Sequence, residues 1–108
     1  VTDRAPAGER GADLARIAQN YLVFLLRFIS RQDETARLAG YDLGRDSVAA
    51  GVSLLELVRI HHDALSRAIG DGAPGEAAEL TTVAAEFFLE VTASYEMARG
   101  AGGLDEPS

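Results

Sequence analysis

Cysteine, lysine and tryptophan are all missing from this 108-residue chain. Without cysteine there is neither a disulfide nor a thiolate metal site, and the redox compartment cannot be read. Without lysine, the ten basic side chains are all arginine, and a phosphate-cradling loop lacks its usual cation. The balance is acidic, with a net charge of −7. Nucleic-acid phosphates require a basic stripe, so the charge disfavours DNA and RNA as partners, and none is expected. Long apolar runs are also absent. The best candidate, YLVFLLRFI at residues 21–29, contains Arg27 and stops at Ser30, well short of the ~20 apolar residues of a membrane-spanning helix. The first ten residues are polar and do not read as a secretion signal, which makes a cytoplasmic protein the expectation.

What is present is a core. Apolar residues make up 47% of the chain, enough for one modest domain. Residues 1–11 and 100–108 are rich in Gly, Pro and charge, and are expected as flexible tails, the second also a possible start of a linker. Residues 12–99 form the domain. No strand alternation, internal repeat or long heptad run occurs, and the pattern predicts an all-α, compact four-helix domain.

The first helix is expected from about Asp13 to Arg31. At about 100° per residue, Leu14, Ile17, Ala18, Tyr21, Leu22, Phe24, Leu25, Leu26, Phe28 and Ile29 spread over an arc of roughly 200°, about twice that of an ordinary surface helix. Such an arc implies one part facing the core and another facing a second chain. Asp33 is the expected N-cap of a second helix over about 34–50. Its Ala36, Ala39, Gly40, Leu43, Ser47 and Ala50 give a small-residue face for close approach, Leu38, Tyr41 and Val48 point elsewhere, and Gly51 ends it. Ser53 and Glu56 form a capping box for the third helix, with Val52 and Leu57 as its hydrophobic staple. Gly70 is expected as its left-handed stop. The fourth helix, about 76–99, places Leu80, Val83, Ala84, Phe87, Phe88, Val91, Tyr95 and Ala98 on one broad face and Glu79, Glu86 and Glu90 in an acidic line. Gly100, Gly102 and Gly103 are expected to end it.

Chemistry is sparse. His61 and His62 are adjacent, so on a helix they diverge by about 100° and do not clamp one metal. His61 falls on an arc with Leu54, Leu57, Val58, Leu65 and Ile69, which favours a buried or interfacial, hydrogen-bonded histidine. A phosphotransfer histidine would need an exposed ring and a nearby cation, and only Arg59 and Arg67 are close in sequence. The loop at 70–75 has glycines but no lysine and no preceding strand. No catalytic, cofactor-binding or metal-binding residue is assigned, and no enzyme activity is expected of this stretch.

Two segments, GVSLLELVRIHHDAL (51–65) and EFFLEVTASYEMARG (86–100), resemble the N-terminal regulatory domain of the phosphoserine phosphatase RsbU of the bacterial general stress response. Ile60, His61 and Leu65 carry the likeness in the first, and Phe88, Leu89, Glu90, Val91, Tyr95, Met97 and Ala98 in the second. The likeness spans about residues 13–99. It implies an all-helical, dimeric domain that binds a switch kinase of the small histidine-kinase-like ATPase type. That binding activates a metal-dependent PP2C-type phosphatase domain joined by a helical linker, and the phosphatase acts on an anti-sigma-factor antagonist. The metal-binding Asp motifs of such a domain are absent here, so phosphatase activity belongs elsewhere. Read with the surplus apolar arc, the resemblance gives two expectations. Leu22, Leu26, Ile29 and Phe88 form a twofold dimer contact, and Tyr41, His62 and Tyr95 line a groove across the dimer that receives the kinase. A histidine phosphotransfer domain and a small-ligand sensor are the alternatives.

Overall fold

In the computed structural model the backbone is described for residues 7–70 and 76–105, and side chains for 11–70 and 76–100. Four helices follow one another: α1 Ala7–Arg31, α2 Glu34–Ala49, α3 Leu54–Gly70 and α4 Ala77–Asp105. The all-helical, four-helix expectation holds. α1 and α4 each pack on every other helix, while α2 and α3 lie on opposite flanks of that central pair.

The core is where α1 and α4 meet. Ile17, Tyr21, Leu25 and Phe28 of α1 are buried in one cluster with Ala84, Phe87, Val91 and Tyr95 of α4. Tyr21 and Phe28 both pack on Phe87, with ring centroids 5.2 and 5.5 Å apart, an arrangement that adds to the burial of three large side chains. The 200° arc of α1 is only partly buried within the chain. One side enters the core; Leu14, Ala18, Leu22, Phe24 and Ile29 are half-covered at its margin, and Leu26 stays exposed.

α2 lies closest to α4 because its inner face is small. Ala36, Gly40, Leu43, Gly44 and Ser47 are buried. At Gly44 an added Cβ would collide with the Val91 carbonyl and lie 2.8 Å from both Ser94 Oγ and Tyr95 N. The neighbouring Ser94 hydroxyl donates to the Tyr41 carbonyl, so the two backbones are joined as well as close.

The turns follow the capping chemistry. Asp33 accepts from Ala36 N at 2.9 Å. Gly51 is left-handed at φ 77°, with Val52 N donating to Ser47 O and Gly51 N to Val48 O, the paired bonds of a Schellman stop. Ser53 and Glu56 exchange both bonds of the capping box, at 2.9 and 3.1 Å. The hydroxyl of Tyr95 donates to the Val52 carbonyl at 2.8 Å, tying this turn to α4.

Several boundaries differ from expectation. α1 begins at Ala7, inside the stretch expected as a tail. α4 continues to Asp105 through Gly100, Gly102 and Gly103, since glycine only weakens a helix by about 1 kcal/mol per residue and does not forbid it. Gly70 is the last residue of α3 and not a left-handed stop. Gln32 takes that role after α1, at φ 52°. The loop at 71–75 lies outside the described residues.

Candidate functional site

α3 buries Leu57, Ile60, Ala64 and Ala68. This is not the face that its largest apolar side chains mark, and Leu54, Leu55, Val58 and Ile69 are left exposed. Alanine explains the rotation, because a small residue lets α3 seat closely where a leucine would hold it off.

His61 sits at the margin of that buried face, half-covered. Its Nδ1 is 2.6 Å from the Tyr21 hydroxyl, and its ring stacks on Phe88 with centroids 4.4 Å apart. Burial pushes the Tyr21 phenol well above its ordinary range, so Tyr21 keeps its proton and needs an acceptor. Nδ1 of His61 is that acceptor, which assigns the imidazole proton to Nε2. Burial, with a smaller contribution from the adjacent His62, pulls the His61 pKa below its usual 6.5. The neutral ring therefore bridges α1, α3 and α4. The expectation of a hydrogen-bonded, part-buried histidine holds. His62 points to solvent.

The residues expected to form a dimer contact separate into two places. Leu22, Leu26 and Ile29 follow one another on a face of α1, and Leu22 lines a groove facing Ile60, Asp63, Ala64 and Arg67 of α3. Phe88 is not with them; it packs on His61, on the other side of α3. The residues expected to receive a partner do not converge within one chain either. Tyr95 is 4% exposed and engaged with Val52, which makes it a fold-holding residue. Tyr41 lies on α2 and His62 on α3, on opposite flanks of the bundle. Tyr41 borders an open pocket with Glu34, Arg37, Leu38 and Glu90, and Leu38 there is 58% exposed.

Two surface features escaped the sequence. One is the α1–α3 groove, about 270 Å³ between Ala15, Ala18, Gln19 and Leu22 and the facing α3 residues. It continues toward Gly11 and Leu14 as a space of about 440 Å³ bordered by Glu56 and Arg59. A groove needs two elements at known separation, and one sequence cannot give that. The other is the exposed row Leu54, Val58 and Ile69, which sequence reading placed with Leu57 and Leu65 on one arc around His61, buried or interfacial. Among the described residues no group of His, Asp and Glu is placed to hold a metal ion, and no helix is long and apolar enough to cross a membrane.

No curated protein and no solved structure matches the chain. One family model does, that of the phosphoserine phosphatase RsbU N-terminal domain, and it covers residues 19–98. That span starts within α1, two residues before Tyr21, and runs through α2, α3 and the part of α4 that packs in the core. It includes the first segment in which the resemblance was seen and the second up to residue 98. With well over half its length matched, the chain belongs to the RsbU N-terminal domain family.

Proposed function

We propose that this is a non-catalytic regulatory domain that forms a twofold dimer and binds a switch kinase of the small histidine-kinase-like ATPase type. Binding would turn on a PP2C-type phosphatase in a sigma-factor partner-switching pathway. The observation that carries the reading is the uncovered apolar surface on a family member whose Tyr21–His61 pair is already internally satisfied. Leu26 is 39% exposed and Leu38 58%, and they lie on different helices, which suits two separate contacts. Leu22, Leu26 and Ile29 of α1 supply the dimer contact. Tyr41 and Leu38 of α2, with His62 of α3 from the far flank, supply the kinase contact, and Tyr95 acts only by holding the α2–α3 turn.

A phosphotransfer role draws no support from His61, whose Nδ1 is taken by Tyr21 and whose ring lies against Phe88. A ligand-sensing role would want an enclosed cavity, and the spaces along α1 and α3 are open grooves.

Light scattering tests the dimer. Leu26→Asp is expected to halve the particle mass with an unchanged far-ultraviolet spectrum, and an unchanged mass sinks this contact. Calorimetry with the purified kinase tests the second surface. Tyr41→Ala and His62→Ala are each expected to weaken binding about tenfold, or 1.4 kcal/mol; full affinity in both removes the assignment.

A further inference from the structure

The solvent edge of α3 that borders the groove carries Glu56, Arg59, Asp63 and Arg67, so charge alternates in sign along one face. Arg59 and Asp63 are spaced for an ion pair along the helix, as are Asp63 and Arg67. Neither pair forms: among the described residues the ion pair seen is Asp13–Arg16, at 4.0 Å. Arg59, Asp63 and Arg67 are all exposed. An alternating series of this kind has a definite complement, namely the same series read backwards. Two copies of α3 laid antiparallel bring Arg59 of each opposite Asp63 of the other, and Arg67 opposite Glu56. The midpoint of Arg59 and Asp63 falls at His61 and that of Glu56 and Arg67 between His61 and His62, both within about one residue of the midpoint of α3, which runs from Leu54 to Gly70. The two helices would thus overlap along their whole length. Few registers satisfy charge and length together.

We propose that the α1–α3 groove is occupied by a second copy of this chain, with α3 antiparallel to α3 about a twofold axis and Arg59–Asp63 pairs formed twice across it. The inference rests on the dimeric reading above and specifies its geometry. The contact is isologous, as a twofold axis requires. Its apolar floor is Ala15, Ala18 and Leu22 of α1 with Ile60 and Ala64 of α3, and the small side chains let a helix sit low between them. Leu26 and Ile29 extend the same α1 face beyond the groove. The charges form the rim, where they set orientation and register more than affinity. A parallel pairing would oppose like charges and is selected against.

The test is charge reversal in the 108-residue chain, read by sedimentation equilibrium with circular dichroism to confirm folding. Arg59→Asp alone and Asp63→Arg alone each place like charges together at two symmetric points. Each is expected to weaken dimerisation about tenfold at low salt and by less as salt is added, since exposed charge pairs are progressively screened as the Debye length shortens from about 30 Å at 0.01 M to about 10 Å at 0.1 M. The double variant R59D/D63R rebuilds the same pairs with signs exchanged and is expected to return to within about threefold of wild type. Single variants that dimerise like wild type, or a double variant that stays as weak as the singles, overturn the antiparallel α3 contact while leaving the dimeric reading standing. A wild-type chain that is monomeric at every concentration overturns both.

Discussion

At the residue scale the Tyr21–His61 bond ties α1 to α3, on a ring that also stacks on Phe88 of α4. Tyr21 is fully buried, and the imidazole it donates to is half-covered. Tyr21→Phe removes the donor and leaves a partly desolvated acceptor, with an expected loss of about 1–2 kcal/mol in urea denaturation. The same bond makes stability depend on pH. Because the folded-state pKa of His61 is lowered from 6.5, the unfolded chain takes up the proton first as the solution is acidified. The contribution of neutral His61 is complete above about pH 6.5 and is lost as pH falls from there through the lowered folded value. Urea midpoints should decline over this window in wild type, and His61→Gln should flatten the decline. Glycine offers a second contrast. Gly44→Ala drives a Cβ into the α4 backbone and is expected to cost about 3 kcal/mol or more. Gly40→Ala meets the edge of the Phe87 ring at 3.1 Å, which can give slightly. The better helix propensity of alanine offsets that strain, and the variant should stay within about 1 kcal/mol of wild type.

At the scale of elements, local signals were legible where a single residue type does a single job. Asp33, Gly51 and the Ser53–Glu56 box were all readable, because capping depends on three or four neighbouring residues and little else. Ser53→Ala is accordingly expected to lower the thermal stability of the domain by about 1 kcal/mol. The small-residue face of α2 was readable for a similar reason. The orientation of α3 was not: summing apolar size points toward Leu54, Val58 and Ile69, whereas the packed face is set by Ala64 and Ala68. The ends of α1 and α4 were not legible either. Gln32 is a non-glycine residue in a left-handed stop, and its composition gives no warning. Gln32→Gly should therefore stabilise α1 by about 0.5–1 kcal/mol, measurable as a rise in the melting temperature.

At the scale of the molecule, the sequence showed that α1 has more apolar surface than one small domain covers. It did not show where that surface goes. The site residues suffered most from this gap: Phe88 was expected in a dimer contact and Tyr95 in a partner groove, and within the chain both are held by contacts with α3 and the α2–α3 turn. Such contacts are set by the relative placement of whole helices, which leaves no local trace. The asymmetry of that placement has a measurable result. α2 is joined to α4 by close backbone approach and by Ser94, whereas α3 borders an open groove. Hydrogen exchange should find the slowest amides along the α2–α4 seam, with α3 opening at a lower free energy.

The Tyr21 phenol also gives the protein an intrinsic optical probe. With no tryptophan to dominate emission, light comes from three tyrosines. Tyr21 donates to an imidazole and Tyr95 to a backbone carbonyl, and a phenol bonded to a proton acceptor loses its excited state readily through that bond. The native domain should be dim, and the chain should brighten as α3 and the α2–α3 turn come away from the central pair. An unlabelled sample in a cuvette can therefore report the separation of the helices in real time.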